Sequence, residues 1–249
     1  MSLFVVSDVH GYVDDLRNGL AGAGLIRDDG TWTGGDHQLW VLGDLLDRGP
    51  DGIGTIGLVR SLQQKAPDNV HVLMGNHEAL ALGYHQFPET RFGELWAING
   101  GSASDQEALT DDDVEWMRSL PVMARVGDYL LMHSDATDYL EWGSSVEDIN
   151  ESVTSLLADD AADAEALWEV FASLTNRFDF AGDDGARVAQ DMLATLGGRC
   201  IVHGHSIIGT LVGKPSEKTE GPISYADGLV LAIDGGRYDG GPLLVVELG

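Results

Sequence analysis

The sequence predicts an α/β fold in which short parallel strands alternate with crossover helices. Three short apolar runs, at residues 3–7, 38–42 and 70–74, each end in a turn containing Gly, Asp or Asn. Such runs are typical of buried strands. Stretches with helical spacing follow them around residues 13–20 and 53–62. The alternation of strand, loop and helix favours a parallel sheet with crossover connections.

The second half of the chain is more polar and more helical. Residues 88–120 are predicted to be helical in parts, with a capping box formed by Thr110 and Asp113. Further strands are predicted at residues 129–132, 199–202, 228–233 and 243–248, and further helices at 148–157, 163–174 and 186–196. We predict a single domain over residues 1–249, with inserted, mostly helical segments at about 88–120 and 135–197.

Composition and charge exclude several classes of protein. The chain has 249 residues and a single cysteine, which excludes an internal disulfide and a zinc site built on several thiolates. Asp and Glu number 41 against 14 Lys and Arg, giving a net charge of −27 that disfavours nucleic-acid binding. No apolar run reaches the roughly 18 residues of a membrane span. We expect a soluble, cytoplasmic protein that binds neither nucleic acid nor membrane, and we predict no oligomeric state.

Five polar clusters follow predicted strands, at the position where α/β sheets form their sites. The clusters are Asp8 with His10, Asp44 with Asp47 and Arg48, Asn76 with His77, His133 alone, and His203 with His205. Carboxylate, imidazole and amide ligands without thiolate suit divalent Mn, Fe, Zn or Ni. A pair of such metals can bind phosphoryl oxygens and generate a hydroxide nucleophile. Arg48 offers a planar fork for phosphate, and His77 is placed to act as a general acid.

These clusters resemble the motifs of the calcineurin-like metallophosphoesterases, in the same order along the chain. The matching segments are Asp8-x-His10-Gly11, Gly43-Asp44-x-x-Asp47-Arg48-Gly49, Gly75-Asn76-His77-Glu78, His133 and Gly204-His205. The ending Asp47-Arg48-Gly49 is similar to the phosphoprotein phosphatase branch and equally to symmetrical diadenosine tetraphosphatases. The late segment Ile233-Asp234-Gly235-Gly236 is also similar to that branch.

The resemblance implies a fold and a role for each matching residue. The implied fold is a four-layer α/β/β/α sandwich of two mixed sheets. Asp8 and His10 would hold one metal, Asp44 would bridge two, and the second metal would be held by Asn76, His133 and His205. The implied cofactors are two divalent ions, Mn being expected. A hydroxide bridging them would attack phosphorus.

The remaining implied roles concern the substrate. Arg48 would bind its phosphate, with Asn76 also contacting it. His77, oriented by Asp47, would protonate the leaving group.

Two positions leave alternatives open. Many members of the family end in Gly-His-x-His, but Ile207 occupies the last position here. His205 is expected to be the ligand because it follows the glycine, with His203 as the alternative. Arg177 is predicted to be a second phosphate-binding arginine, against the alternative of a surface residue at the end of a helix.

The predicted function is a metal-dependent phosphomonoester hydrolase acting on phosphoserine or phosphothreonine in proteins, or on a small phosphorylated substrate. The alternative is hydrolysis of dinucleoside polyphosphates or related nucleotides at the same centre. A non-catalytic metal-binding scaffold is a third hypothesis, and the presence of His77, Asp47 and Arg48 argues against it. The tryptophans of the inserted segments either pack in the core or line a substrate cleft, and core packing is the favoured interpretation.

Overall fold

The computed structural model describes residues 2–249, which form an α/β structure with nine strands and ten α-helices. The strands are β1 (Leu3–Val6), β2 (Gln38–Val41), β3 (Val70–Val72), β4 (Met123–Val126), β5 (Tyr129–Met132), β6 (Cys200–His203), β7 (Ile223–Tyr225), β8 (Val230–Ala232) and β9 (Val246–Leu248). The helices are α1 (Val13–Gly22), α2 (Gly52–Lys65), α3 (Asn76–Gln86), α4 (Arg91–Ile98), α5 (Ala103–Ala108), α6 (Asp111–Arg118), α7 (Val146–Ala158), α8 (Ala164–Thr175), α9 (Gly185–Leu196) and α10 (Ile208–Val212).

The strands form two mixed sheets. The first has the order β3-β2-β1-β9, in which β1, β2 and β3 are parallel and β9 is antiparallel to β1. The second has the order β4-β5-β6-β8-β7, with a parallel centre and an antiparallel strand at each edge. The carboxyl ends of β1, β2, β5 and β6 are therefore free to carry the polar loops of a shared site.

The two sheets pack face to face, and helices cover their outer faces. Side chains alternate along each strand, so Val5 of β1 and Val202 of β6 enter the apolar layer between the sheets. Their neighbours Val6 and Ile201 point instead into the layer shared with the helices. The fold is thus the α/β/β/α sandwich that the motifs imply.

The alternation of strand and helix predicted parallel pairing, and β1, β2 and β3 are parallel to one another as expected. The antiparallel edge strands β4 and β7 were not predicted. Both are only three or four residues long and interrupted by polar residues, so neither presents a clear apolar run. The expected strands and helices elsewhere are present, and α4, α5 and α6 lie in the segment 88–120. The assignment of the whole chain to one domain stays a prediction.

No helix among residues 2–249 combines the length and the apolar character that a membrane crossing requires.

The carboxylate of Glu78 ties the loop after β2 to the start of α3. It is fully buried and accepts hydrogen bonds from the backbone N–H groups of Asp44 and Leu45, both at 2.8 Å, and of Gly75 at 2.9 Å. Gly75 precedes the first helical residue, so Glu78 also satisfies one of the free N–H groups at the helix start. The sequence motif contains Glu78, but sequence reasoning gave it no role.

Removing the Glu78 carboxylate is therefore expected to destabilise the fold strongly. Glu78→Ala leaves three buried N–H donors without partners, and we expect a loss of about 3 kcal/mol or more in the free energy of unfolding. Urea unfolding followed by circular dichroism measures the loss. Glu115→Ala, which removes an exposed carboxylate from α6, serves as the control and should change the value by less than about 0.5 kcal/mol. Equal stability of the two variants would contradict this role for Glu78.

Candidate metal centre

The loops that carry the polar clusters have an unusual backbone conformation. Nine non-glycine residues within 2–249 have positive φ, and six of them belong to the predicted motifs: Asp8, His10, Asp44, Asp47, Arg48 and His205. Such conformations are strained for L-residues, although Asp and His tolerate them better than most. Bonds between the loops hold them in place, including His10 N–H to the carbonyl of Asp44 at 2.8 Å. The strained backbone therefore brings these side chains close together at the ends of the strands.

Side chains of the polar clusters form two overlapping sets of buried donor atoms that share Asp44. In one set, atoms of Asp8, Asp44, His133 and His205 all lie within 4.8 Å of one another, and in the other those of His10, Asp44 and His77 do. One oxygen of Asp44 is 3.5 Å from Nε2 of His10, and its other oxygen is 3.4 Å from Nε2 of His133. Asp44 thus faces both sets with different oxygens.

Hydrogen bonds fix which nitrogen of each histidine carries a lone pair. Nδ1 of His10 lies 3.1 Å from the carbonyl of Leu46, and Nδ1 of His133 lies 2.7 Å from that of Leu42. A carbonyl only accepts, so each Nδ1 carries the proton and Nε2 turns a lone pair toward the cluster. For His205 the carbonyl partner is on Nε2, at 2.9 Å, which leaves the lone pair on Nδ1.

The charge and protonation of the cluster suit a cation. Burial lowers the pKa values of His10 and His205 well below the usual range, so their rings are neutral. Burial, together with the nearby carboxylates of Asp8 and Glu78, raises the pKa of Asp44. The amide oxygen of Asn76 lies 2.9 Å from Nε2 of His133, which places two acceptors face to face. A shared cation would satisfy such convergent acceptors.

These residues therefore fit divalent metal ions. The donors are carboxylate oxygens, imidazole nitrogens and one amide oxygen, which is the mixture that borderline divalent cations prefer. The cluster has polar neighbours and lies at the ends of strands from both sheets.

The structure distinguishes between the two histidines that follow β6. His205 belongs to the donor set, whereas His203 lies outside both sets. Nδ1 of His203 is 2.7 Å from the carbonyl of Gly204, and its Nε2 is 2.8 Å from the hydroxyl of Tyr225. Both ring nitrogens of His203 are thus already engaged, so the geometry favours His205 as the ligand candidate.

Asn76 and His77 were expected in a loop after β3, but they form the first turn of α3. The backbone N–H of His77 donates to an oxygen of Asp44 at 2.9 Å. Nδ1 of His77 lies 2.8 Å from Oδ2 of Asp47, while its buried Nε2 has no hydrogen-bond partner among residues 2–249. Asp47 thus orients the ring of a histidine that belongs to the donor set with His10 and Asp44.

The inserted segment 88–120 supports Asp47 and Arg48, a contribution that sequence reasoning missed. The N–H of Ser102 donates to Oδ1 of Asp47 at 3.0 Å. The carbonyl of Asn99 accepts from Nε of Arg48 at 3.2 Å, and that of Gly100 accepts from its backbone N–H at 2.9 Å. These contacts are between residues about 50 positions apart, so no local sequence pattern predicts them.

The Arg48 side chain also contacts residues of the metal cluster and of the last loop. One of its terminal nitrogens is 3.2 Å from Nε2 of His10, and its guanidinium carbon is 4.0 Å from the centre of the Tyr238 ring. The Tyr238 ring in turn meets the His10 ring edge-on at 5.1 Å. Tyr238 is a further residue that the sequence did not single out.

Arg177 follows α8 and is exposed. Its positive charge contributes to lowering the pKa of His205, behind burial and the nearby His133, which places it on the side of the cluster that His205 occupies. Its guanidinium makes no hydrogen bond or ion pair with the rest of residues 2–249. The structure therefore leaves Arg177 available to a ligand at the edge of the centre.

The tryptophans of the inserted segments pack against the core, which agrees with the favoured interpretation. Trp96 stacks on Tyr84 at 4.1 Å, and Nε1 of Trp142 donates to Ser173 at 2.9 Å. Trp96, Trp116, Trp142 and Trp168 are all partly buried against the main apolar cluster.

Comparison with known proteins connects this geometry to established relatives. Symmetrical bis(5'-nucleosyl)-tetraphosphatase of Psychromonas ingrahamii is 32% identical over 127 residues, which are 50% of this chain and 40% of that protein. The chain thus matches less than half the length of this curated relative. The protein of the same name from Acidovorax sp. is 27% identical over 282 aligned positions, covering 100% of this chain and 92% of that protein.

Solved structures share the fold. The cold-active protein-tyrosine phosphatase of a psychrophilic Shewanella species superposes with a TM-score of 0.75 at 23% identity, covering 99% of this chain and 75% of that one. The model of the calcineurin-like phosphoesterase family matches residues 1–209, a range that contains all five polar clusters from Asp8 to His205. The chain therefore belongs to the calcineurin-like phosphoesterase family of metal-dependent phosphoester hydrolases.

Proposed function

We propose that this protein hydrolyses dinucleoside polyphosphates at a centre of two divalent metals, Mn being the expected metal. The observation that carries the proposal is the pair of donor sets that share Asp44. His10 would hold one metal, Asn76, His133 and His205 would hold the other, and Asp44 belongs to both sets. Asp8, which the motif resemblance assigns to the metal of His10, lies in the set with His133 and His205. When bound, such cations act as Lewis acids on the phosphoryl group and lower the pKa of the attacking water.

His77 acts as the general acid for the leaving oxygen. Its buried Nε2 has no hydrogen-bond partner among residues 2–249, and Asp47 accepts from Nδ1 at 2.8 Å. Burial lowers the pKa of His77 well below its usual range, which opposes protonation. The ionised carboxylate of Asp47 favours the protonated ring and fixes its orientation. Asp47 is therefore a positioning residue, and His77 is the group that donates the proton.

Arg48 and Arg177 bind the phosphate groups. Arg48 is held by the carbonyl of Asn99 at Nε and contacts Nε2 of His10 through one terminal nitrogen, so its other terminal nitrogen remains for a phosphate oxygen. Arg177 is exposed near His205 and suits a neighbouring phosphate of a longer chain. The side-chain amide of Asn76 also contacts the phosphate of the substrate.

The relatives favour the nucleotide substrate over a phosphoprotein. Curated relatives that match this chain are named symmetrical bis(5'-nucleosyl)-tetraphosphatases, and one aligns along all of it. Serine/threonine phosphatase activity, which the sequence also predicts, remains the competing function. Its support is a fold shared with a yeast serine/threonine phosphatase at 17% identity. The non-catalytic scaffold hypothesis fails to account for an oriented His77 beside the donor sets.

The substrate class is tested by direct competition. With Mn present, we expect kcat/KM on diadenosine tetraphosphate to exceed that on a phosphoserine peptide by about tenfold or more, and His77→Asn to lower kcat by about 10²–10⁴-fold. Chromatographic product analysis measures both reactions. A preference for the peptide that His77→Asn abolishes would replace the nucleotide function with a protein phosphatase function. Activity that survives His77→Asn would remove the general-acid role.

Metal binding should also stabilise the folded protein. The convergent acceptors around Asp44 repel one another without a cation. Mn at 100 times its dissociation constant should add about 2.7 kcal/mol per site to the free energy of unfolding, because the ion binds the folded state. Thermal unfolding with and without Mn measures the shift, and a chelator should reverse it. Asp44→Asn should lose most of the shift, whereas the exposed-site variant Asp112→Asn should keep it. A shift of equal size in both variants would count against a metal centre at Asp44.

Activity should fall in acid because of Asp47. Burial raises the pKa of Asp47 to about 6, so its carboxylate is ionised above that pH and becomes neutral below it. A neutral Asp47 no longer stabilises the protonated His77 ring. We expect kcat/KM, measured at saturating Mn, to decline below about pH 6. Asp47→Asn should have a lower kcat/KM at every pH and should not show the decline below about pH 6. If the variant shows the same decline, a group other than Asp47 causes it.

A further inference from the structure

Phe178 is an exposed aromatic side chain next to the proposed phosphate-binding Arg177. Four large apolar side chains among residues 2–249 are well exposed, namely Ile98, Leu140, Phe178 and Val212, and Phe178 is the aromatic one of the four. Its exposed fraction is 40%. Single exposed apolar side chains are ordinary on protein surfaces, so the exposure of Phe178 matters only together with its backbone conformation and its place in the chain.

The backbone at Phe178 is strained as well. Its φ is +74°, a conformation that a bulky aromatic residue rarely adopts. Such strain persists only where surrounding contacts over-determine it, and it concentrates at functional sites.

Buried Asp135 makes hydrogen bonds that hold this backbone conformation. This fully buried residue accepts from the N–H of Phe178 at 3.0 Å through Oδ2, and its backbone carbonyl accepts from the N–H of Asp179 at 3.1 Å. Its other carboxylate oxygen accepts from the hydroxyl of Ser206 at 2.5 Å. Asp135 therefore connects the Phe178 loop to the residue that follows His205.

The same loop is bound to the metal cluster on its other side. The carbonyl of Thr175, three residues before Phe178, accepts from Nε2 of His205 at 2.9 Å. Consecutive Cα atoms are about 3.8 Å apart, so Phe178 lies within about 12 Å of that contact along the chain. The backbone that carries Phe178 is thus tied to the donor cluster through Thr175 and Asp135, and Arg177 directly precedes Phe178 in the chain.

We propose that Phe178 is a stacking platform for a nucleobase of the substrate. The inference rests on the proposed function, since it assigns the base-recognition site of the same centre. Arg177 would take a phosphate and the adjacent ring would take the base, which together match one end of a nucleoside polyphosphate. Stacking of one base on an aromatic side chain corresponds to about 10- to 100-fold in affinity.

The test compares substrates with and without a base. Diadenosine tetraphosphate carries bases, and inorganic tripolyphosphate offers phosphoanhydride bonds without them. Phe178→Leu removes the aromatic face and keeps an apolar residue at the strained position, whereas Phe178→Trp keeps an aromatic face. We expect Phe178→Leu to raise KM for the dinucleotide about 10- to 100-fold with little change in kcat. Phe178→Trp should keep KM for the dinucleotide close to the wild-type value. Hydrolysis of tripolyphosphate should be unchanged in both variants.

Two further variants make the result specific. Arg177→Ala should weaken the binding of both substrates, because both carry phosphate groups. Val212→Ala shortens an aliphatic side chain of the same 40% exposure on α10 and should affect neither. An equal effect of Phe178→Leu on both substrates, or none on the dinucleotide, would overturn the stacking role.

A binding measurement separates this inference from the proposed function. Calorimetry with Mn and ATP, and separately with Mn and tripolyphosphate, each in its non-hydrolysable imido form, reports base recognition without turnover. Tighter binding of ATP that is lost in Phe178→Leu supports stacking even if the wild-type protein does not cleave the dinucleotide, in which case the proposed function alone fails. Equal binding of ATP and tripolyphosphate to the wild-type protein would overturn the stacking platform.

Discussion

The carboxylate of Asp44 is the constraint on which the site depends. A buried carboxylate costs several kcal/mol unless its oxygens are satisfied. Here one oxygen accepts from the N–H of His77 at 2.9 Å, and the neighbouring imidazoles of His10 and His133 approach within 3.5 Å. Glu78 fixes the backbone of the same residue by accepting its N–H. The position of Asp44 therefore couples the loop after β2, the start of α3 and the histidines of both sheets.

The close approach of these elements depends on glycine. Gly43 has a φ of +93°, and a Cβ atom there would collide with the backbone of Gly75. Gly43 precedes Asp44, and Gly75 precedes Asn76, so the two glycines let the ends of β2 and β3 bring their polar residues together. The strain at Asp8, His10 and Asp44 is tolerable because these residue types visit the left-handed region more readily than bulkier ones.

Strand ends and ligand types were predictable because both leave local traces. The apolar runs of β1, β2 and β5 end within three positions of Asp8, Asp44 and His133, and an α/β sheet gathers such ends at one edge. What could not be predicted depends on distant contacts. Ser102 supports Asp47 across 55 positions, and Asp135 supports Phe178 across 43. Edge strands such as β7 are defined by pairing with β8, so three residues of sequence carry too little signal.

The overall charge and the site's charge have opposite effects on an anionic substrate. At −27 the protein repels polyanions at long range. At physiological ionic strength, however, exposed charges are largely screened beyond about 8 Å. The interaction of a bound phosphate chain is therefore decided by its immediate neighbours, which in the proposed function are the metal centre, Arg48 and Arg177. Because the acidic surface opposes weak, non-specific phosphate binding, a substrate gains most from groups that add uncharged contacts, and in our proposal the ring of Phe178 supplies such a contact.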